Sequence, residues 1–213
     1  SLRSAGLAWL AGIPRRIGFN KSSGKWLLSE TVQHDASRHE VLRNANLLGP
    51  LGIPPGEKEF PSLYPAKEDQ SVVGRFLASN RVTATKSFVV IAPGTVWNTK
   101  RWLPERFIEL AKKMVDNGYS VIFAGGEEDR QICESMARDA GSGEIISSAG
   151  ELSWLQFANL LQRSPLLICN DSAPMHVAIA VRTPVVALFG ATVPEFGFAP
   201  YGHSDVVIET KGL

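Results

Sequence analysis

The chain has 213 residues, of which 44% are hydrophobic and 20% charged, as in a folded globular protein with one large or two small domains. Its 22 Lys and Arg residues nearly balance 21 Asp and Glu, so the basic surplus of a non-specific nucleic-acid binder is missing. No apolar run reaches the roughly 18–20 residues of a membrane span. Cys133 and Cys169, the only two cysteines, lie in apolar segments. They indicate reduced core residues and favour a cytosolic location.

The first part of the chain, to about residue 52, contains two helical patterns and two short strand-like runs, RRIGF and KWLLSE. We expect the second helix to open at Ser37, because Ser37 and Glu40 have capping-box spacing. Val41, Ala45 and Leu48 would then share one face of that helix.

The segment LGIPPGEKEFPSLYPAKED is rich in proline and predicts a connector between two domains. We assign residues 1–65 to the remnant of an N-terminal α/β domain plus linker, and residues 66–213 to a second domain. The chain opens inside a helical pattern and stops just after a strand-like run. We therefore expect a piece of a longer protein, truncated at both ends.

From about residue 87 onward, short apolar runs alternate with helical patterns. The predicted strands are SFVVIAP, YSVIFAGG, GEIISSAG, LLIC and PVVALFG. Gly118 ends the first intervening helix, and a Ser153–Gln156 capping box begins the third. This alternation predicts the α/β class, with a Rossmann-like, doubly wound parallel sheet that has helices on both faces.

In such sheets ligands bind beyond the carboxyl ends of the strands, and polar residues concentrate in the loops there. Neither a P-loop nor a GxGxxG pattern follows a strand, which disfavours a nicotinamide or flavin dinucleotide. His34, His39 and His203 are isolated, and no ligand spacing predicts a metal. We interpret these histidines as surface or capping residues.

The stretch NDSAPMH follows the fourth of these strands. Pro174 suits a first helical turn, so a helix should begin at about Ala173 or Pro174 and offer its N-terminus to a phosphate. Ser172 and His176 could contact the same anion, whereas Asp171 suits sugar hydroxyls. Two alternatives stay open at this point. Asp171 or Ser172 could be only a helix cap beside a structural histidine, or Ser172 and His176 could form a hydrolase pair. The strained GxSxG turn of hydrolases is missing, which disfavours the second.

Two more loops carry charged residues at strand ends. In PGTVWNTKRW, Thr95 and Lys100 could hold a leaving diphosphate, or the loop could be simply a solvated basic turn. In GGEED, a carboxylate could accept ribose hydroxyls, or the acids could merely favour a helix N-terminus.

Taken together, these segments resemble the ADP-heptose:lipopolysaccharide heptosyltransferases, which are glycosyltransferase family 9 enzymes with the two-domain GT-B fold. The resemblance rests on SLRSAGLAWLAGIPRRIGF, APGTVWNTKRWLPERF, VIFAGGEED, AGELSWLQFANLL, LLICNDSAPMHVAIAVRTPVVALFG and GATVPEFGFAPYG. It covers about residues 1–20 and 88–202. The order and spacing of these segments are more specific than any one of them.

The resemblance implies that the second domain binds the nucleotide-sugar donor. Four residues would lie at the diphosphate: Thr95, Ser172, Ala173 and His176. Four others would have separate roles: Lys100 as the catalytic group that stabilises the leaving diphosphate, Glu128 (or Glu127 beside it) at the ribose, Leu152 against the adenine, and Asp171 at the heptose hydroxyls. Ala173 stands where many relatives have glycine.

The implied reaction is an inverting transfer of heptose from ADP-heptose to the inner core of lipopolysaccharide, with no metal or other cofactor. The implied partners are the donor and a lipid-linked oligosaccharide acceptor. The implied location is cytoplasmic, in peripheral contact with the inner membrane surface. No residue here matches the family's base, an aspartate nearer the N-terminus, so we expect this chain to bind donor without transferring heptose. The open alternatives are another GT-B nucleotide-sugar transferase, a non-catalytic nucleotide-binding module and, least favoured, the Ser/His hydrolase.

Overall fold

The computed structural model describes residues 1–54, 60–82, 86–190, 197–202 and 204–209. The chain divides into two compact units. The first comprises Ser1–Phe60 and Glu195–Phe198, and the second comprises Pro61–Pro194 and Ala199–Leu213. The functional assignment of residues 1–65 and 66–213 to an acceptor-side remnant and a donor domain stays a prediction.

The described residues of the first unit contain helix α1 (Leu2–Leu10), strand β1 (Ile17–Phe19), strand β2 (Glu30–Val32) and helix α2 (Glu40–Ala45), together with two 3-10 turns. The two strands pair in parallel, with Ile17 opposite Glu30. The predicted run RRIGF contains β1. Much of KWLLSE instead forms a 3-10 turn over Lys25–Leu27, and its strand begins only at the final glutamate.

The predicted start of α2 is wrong. Ser37 bonds to the Asp35 carboxylate through both its amide and its hydroxyl, so it is engaged in a local turn instead of a cap. His39 caps the helix, and its Nδ1 accepts the Val41 amide at 3.3 Å. The buried side chain of α2 is Arg43, which pairs with the Glu40 carboxylate at 2.7 Å. The imidazole stands in for the usual Ser, Thr, Asn or Asp cap, because its Nδ1 accepts the amide of the second helical residue.

The second unit contains five helices and six strands within its described residues. The helices are α3 (Lys67–Ser79), α4 (Pro104–Asp116), α5 (Arg130–Ala140), α6 (Trp154–Gln162) and α7 (Ala173–Ala180). The strands are β3 (Phe88–Ala92), β4 (Ser120–Phe123), β5 (Ile145–Ser147), β6 (Leu167–Asn170), β7 (Val185–Phe189) and β8 (Val206–Glu209).

These six strands form one parallel sheet in the order β5-β4-β3-β6-β7-β8. Numbered within the unit, this is the 3-2-1-4-5-6 order of a Rossmann sheet. The predicted fold class is confirmed, and β8 adds a sixth strand to the predicted five. The winding reverses between β3 and β6, where Val90 lies opposite Leu167. The crevice beyond their carboxyl ends is where this architecture binds ligands.

Packing on the two faces holds this crevice in place. On one face α4 and α5 contact each other, and Phe107 and Ala111 of α4 are fully buried against Val89 and Ile91 of β3. Separately, α6 contacts α3 and α7. Since right-handed crossovers on either side of the reversal place helices on opposite faces, these two groups cover the sheet from both sides. All five residues of β3 are buried, as a central parallel strand requires.

Sequence patterns located several element boundaries correctly. Ser153 and Gln156 form the predicted capping box of α6, with amide-to-side-chain bonds of 3.4 Å and 3.0 Å. Gly118 follows the end of α4 with φ +87°, a conformation that favours glycine. Helix α3 was not predicted, and its first turn lies in the last residues of the assigned connector. Asp69 stabilises that start by accepting the Ala66 amide at 3.0 Å.

Both cysteines are free and buried, as predicted. Burial raises the pKa of the Cys133 thiol to about 12 and also raises the pKa of the Cys169 thiol. Across the ranges that the structure describes, none of the helices combines the length and the apolar character needed to cross a membrane. Of the isolated histidines, His39 is the cap of α2, His34 packs edge-on to Phe19, and His203 lies outside the described residues.

Candidate functional site

All eight residues assigned to the donor site lie among the described residues and at the carboxyl ends of adjacent strands. The loop after β3 carries Thr95 and Lys100, and β6 runs into Asp171, Ser172, Ala173 and His176. Glu128 follows β4, and Leu152 follows β5. Because the strands lie in the order β5-β4-β3-β6, the four loops are neighbours along one edge of the sheet.

The centre of this edge is an ion pair. Lys100 Nζ donates to Asp171 Oδ2 at 2.6 Å, and the two side chains are only 21% and 10% exposed. The sequence assigned them separate roles, at the diphosphate and at the sugar. The structure brings them into direct contact, so one anion and one cation are held at the switch point of the sheet. A charged ligand that enters here meets both.

The loop that carries Lys100 is fixed by Asn170, which sequence reasoning passed over. Its side-chain amide donates to the Pro93 carbonyl at 2.7 Å, and its Oδ1 accepts the Trp102 amide at 3.1 Å. Asn170 is fully buried at the end of β6. The available signal was an asparagine that ends an apolar strand, where a buried amide must find partners.

Thr95 lies at the start of the same loop and is buried. Its backbone carbonyl accepts two bonds from the Arg101 guanidinium, at 3.0 Å and 2.8 Å. Arg101 therefore closes the loop on itself and directs its charge to this carbonyl. The predicted basic pair thus divides, with Lys100 facing Asp171 and Arg101 bracing the backbone.

The start of α7 agrees with the prediction, since the helix begins at Ala173 with Ser172 as its N-cap and Pro174 in the first turn. Ser172 does not cap through its side chain, because its hydroxyl donates to the Asn170 carbonyl at 3.2 Å. The Ala173 amide has no hydrogen-bond partner in the part of the chain described. His176 is exposed in the first turn. An anion near Ala173 would meet an available amide and the positive end of the helix dipole.

The three acidic residues of the loop after β4 have different environments. Glu127 and Glu128 are the two candidates for the predicted ribose contact. Glu127 is bound by Arg130 through two bonds of 2.9 Å and 2.6 Å, and this guanidinium lowers the pKa of the Glu127 carboxyl. Arg130 also donates to the Gly150 carbonyl at 3.0 Å. Glu128 is exposed, and its carboxylate has no hydrogen bond within the described ranges. Of the two glutamates, Glu128 is therefore the one available to a ligand.

The third acid, Asp129, turns inward and was not singled out by sequence. Its carboxylate accepts the Gly126 amide at 3.2 Å and occupies the space that a Cβ on Gly94 or Gly125 would need. Burial, the largest cause, raises the pKa of Asp129, and nearby Glu128 raises it further, while the Gly126 amide and Arg101 lower it. Asp129 thus packs between the loops after β3 and β4, which explains the glycines there.

Leu152, the predicted adenine contact, is half-buried just before α6. Its loop is joined to the acidic loop by the Gly150 amide, which donates to the Gly125 carbonyl at 3.1 Å. The loops after β4 and β5 thus form one continuous wall at this edge of the sheet. Among the residues described, no three His, Cys, Asp or Glu side chains come together as a metal site would require.

Comparison with known proteins agrees with this geometry. The sequence model of glycosyltransferase family 9 (heptosyltransferase) matches residues 1–212. Lipopolysaccharide heptosyltransferase 2 of Salmonella typhimurium is 28% identical over an alignment that covers 98% of this chain and 62% of the relative. Lipopolysaccharide heptosyltransferase 3 of Escherichia coli K12 is 31% identical over 72% of this chain and 44% of the relative.

Solved structures show the same likeness. The family 9 glycosyl transferase of Veillonella parvula superposes with a TM-score of 0.88 at 28% identity, covering 99% of this chain and 60% of that one. The E. coli ADP-heptose lps heptosyltransferase II gives a TM-score of 0.80 at 25% identity, covering 98% and 65%. The chain thus spans about three-fifths of the length of these proteins. Since the family model matches nearly its whole length, the chain belongs to glycosyltransferase family 9, the heptosyltransferase family.

Proposed function

We propose that this chain is the donor-binding part of a heptosyltransferase that moves heptose from ADP-heptose to the inner core of lipopolysaccharide. The observation that carries the proposal is the Lys100–Asp171 pair, held at 2.6 Å at the switch point of the Rossmann sheet. A sugar diphosphate has both an anionic and a hydroxyl-rich end, and this pair offers a cation and a carboxylate within one hydrogen bond of each other. Family membership supports heptose and ADP as the two ends.

In the proposed reaction the acceptor hydroxyl attacks the anomeric carbon from the face opposite the diphosphate. The new C–O bond forms as the bond to the phosphate oxygen breaks, and configuration inverts. Negative charge then grows on the departing ADP, where Lys100 and the amide at the start of α7 stabilise it. Asp171 holds the heptose hydroxyls, while Thr95, Ser172 and His176 line the diphosphate.

The nucleoside would occupy the wall formed by the loops after β4 and β5. The Glu128 carboxylate accepts hydrogen bonds from the ribose hydroxyls, because it is exposed, whereas the Glu127 carboxylate is paired with Arg130. Leu152 packs on the adenine. Titration calorimetry with ADP and with UDP tests this subsite. We expect tighter binding of ADP, which Glu128→Gln should reduce. The control Glu144→Gln, just before β5 at the amino ends of the strands, should leave it unchanged. Equal affinity for both nucleotides would favour another GT-B donor, and binding of neither would contradict every donor-site assignment.

The acceptor hydroxyl must lose its proton to a base, and no aspartate of this chain matches the one that the family uses. We therefore propose that the chain binds donor but does not transfer heptose by itself. Incubation with ADP-heptose and a deep-rough lipopolysaccharide acceptor should release no ADP above background. Normal turnover would refute this point and leave donor binding intact.

We propose that transfer needs no metal, because Lys100 and the start of α7 supply the positive charge. Affinity for ADP should then be the same in EDTA and in Mg²⁺. A loss of binding in EDTA that Mg²⁺ restores would contradict this.

The acceptor is proposed to be a lipid-linked oligosaccharide that the whole protein meets at the cytoplasmic face of the inner membrane. Family membership supports this assignment. Fractionation of cells that produce the full-length protein checks it, since the protein should be recovered with the cytoplasm or, peripherally, with the inner membrane. Recovery outside the cytoplasmic side would contradict it.

The hydrolase alternative loses support, because the Ser172 hydroxyl donates to the Asn170 carbonyl and not to an imidazole. A serine-directed covalent probe should leave Ser172 unlabelled.

A further inference from the structure

The side chain of Asn170 ties together the two ends of the loop between β3 and α4. The amide nitrogen of Asn170 donates to the Pro93 carbonyl at 2.7 Å, at the beginning of the loop. Its amide oxygen accepts from the Trp102 backbone N–H at 3.1 Å, at the end of the loop. One buried amide therefore fixes both ends of the loop.

Lys100 lies inside this closed loop, two residues before Trp102. Its partner Asp171 directly follows Asn170 along the chain. The backbone there is held as well, since the Asp171 amide donates to the Leu188 carbonyl of β7 at 3.1 Å. The 2.6 Å contact between Lys100 and Asp171 thus depends on a loop whose two ends are tied to the residue next to Asp171.

Asn170 is fully buried, and its bond to the Pro93 carbonyl is buried too, whereas Trp102 at its other bond is partly exposed. A buried amide with its donor and acceptor both used stabilises one geometry, and losing the bond to Pro93 deprives a buried carbonyl of its donor. At the Pro93 end water offers no easy substitute, so the loop would be expected to shift when the amide is lost. The hydrogen bonds of the Asn170 side chain go to Pro93 and Trp102 and not to Lys100, so its effect on that cation is indirect.

We infer that Asn170 is a positioning residue of the donor site, which closes the loop from Pro93 to Trp102 and so sets Lys100 against Asp171. The inference rests on the proposed donor-binding function. It assigns to Asn170 a role in anion affinity that it exerts through Lys100 and not by touching the nucleotide.

The first test replaces the amide with an apolar group of similar size, Asn170→Leu. Titration calorimetry with ADP should show an affinity about tenfold weaker, because the cation loses its fixed position. The matched control is Asn159→Leu in α6, which removes another buried amide, whose nitrogen bonds to Gln162 at 3.1 Å. The control should leave ADP affinity unchanged, whatever it does to the melting temperature.

A double-mutant cycle separates positioning from general damage. If Asn170 acts through Lys100, then Asn170→Leu should weaken ADP binding in the natural chain and have little further effect in the Lys100→Ala background. An equal loss in both backgrounds would overturn the inference, as would an unchanged affinity in the single variant.

Asn170→Asp provides a second variant in case the leucine substitution fails to fold. A carboxylate keeps an acceptor for Trp102 but cannot donate to Pro93, whereas the protonated acid can do both. Relative to the natural chain at the same pH, its ADP affinity should recover between about pH 8 and about pH 5.5, since burial raises a carboxyl pKa. A constant deficit over this interval would contradict the positioning role. Suppose that the natural chain binds ADP, and that Lys100→Ala weakens this binding but neither Asn170 variant does. This result would reject the role of Asn170 and leave the proposed function intact. If the natural chain binds no ADP, the proposed function itself fails.

Discussion

Lys100 and Asp171 are 71 residues apart in sequence, yet their side chains form a 2.6 Å ion pair between the ends of β3 and β6. Each therefore neutralises the other at the point where the sheet reverses its winding. A diphosphate must share Lys100 with Asp171, whereas a complete sugar donor can give the carboxylate hydroxyls to bind instead. In the proposed donor site, the affinity for ADP and the affinity for ADP-heptose should therefore depend on different residues.

Substituting the two partners should separate those affinities. Lys100→Ala should weaken ADP binding by about tenfold or more, because it removes the cation and leaves the Asp171 carboxylate to repel the diphosphate. Asp171→Ala should leave ADP binding as tight or tighter and weaken ADP-heptose. Calorimetric titrations with both ligands measure this. Lys86→Ala, which breaks the surface pair with Glu144, is the control and should change neither affinity. Equal losses of ADP affinity in both variants would contradict the division of roles.

Gly94 should accept a side chain only if the Asp129 carboxylate moves aside. A Cβ at Gly94 would fall on the Asp129 carboxylate, so Gly94→Ala should lower the free energy of unfolding by about 1–3 kcal/mol. In the Asp129→Ala background the same change should cost much less. Chemical denaturation of the four variants measures the difference. Gly143→Ala, whose Cβ would meet nothing within 4 Å, is the neutral reference. A similar cost at Gly94 in both backgrounds would show that the carboxylate is not the obstacle.

Asp129 should also make stability depend on pH. Its pKa in the folded chain is raised above the ordinary 3.8, chiefly by burial, so the folded chain binds this proton more tightly than the unfolded chain does. The contribution of Asp129 to stability is then fully present below the ordinary pKa and is lost as pH rises through the raised pKa. The substitution Asp129→Asn removes the cost of burying an ionised carboxylate, because an amide does not ionise. The amide oxygen still accepts the Gly126 amide.

For Asp129→Asn the melting temperature should therefore equal that of the natural chain near pH 3.5 and exceed it by no more than about 2 °C near pH 7. Thermal scans at both pH values provide the measurement. A variant that gains stability only at the acid end would reverse the sign and exclude burial as the main cause.

The two thiols should be unreactive in the folded chain. Cys133 and Cys169 are buried, and burial raises both pKa values, that of Cys133 to about 12, so little thiolate exists near pH 8. A colorimetric thiol reagent should detect almost none of them at pH 8 without denaturant and both in guanidinium. Rapid reaction of one thiol in the folded chain would show that its segment opens.

Local patterns predicted the fold of the second unit well. Short apolar runs, the Ser153–Gln156 capping box and Gly118 each act through neighbours in sequence, so spacing alone reveals them. The same logic failed at Ser37, because Asp35 captures its hydroxyl and leaves His39 to cap the helix. Helix α3 was passed over because its start follows a run of prolines that reads as a connector.

The loops of the candidate site could be predicted from the sequence, but the contacts between them could not. Strand ends identify the loops, and Lys100 and Asp171 are visible as charges within them. Their pairing, the closure of the loop by Asn170 and the inward turn of Asp129 depend on which strands are neighbours, and that order is a tertiary property. Buried polar side chains such as Asn170 are visible in sequence only as an unusual residue at the end of an apolar strand.

The link between the loops after β4 and β5 has a consequence for altering donor preference. Arg130 ties Glu127 to the Gly150 carbonyl, and the Gly150 amide returns a bond to Gly125. The two loops that carry the proposed ribose contact and the proposed adenine contact are therefore bonded to each other and should move together. If only one loop were replaced by that of another nucleotide-sugar transferase, the hydrogen bonds between the two loops would be lost. Residues 125–130 and 148–152 should therefore be exchanged together.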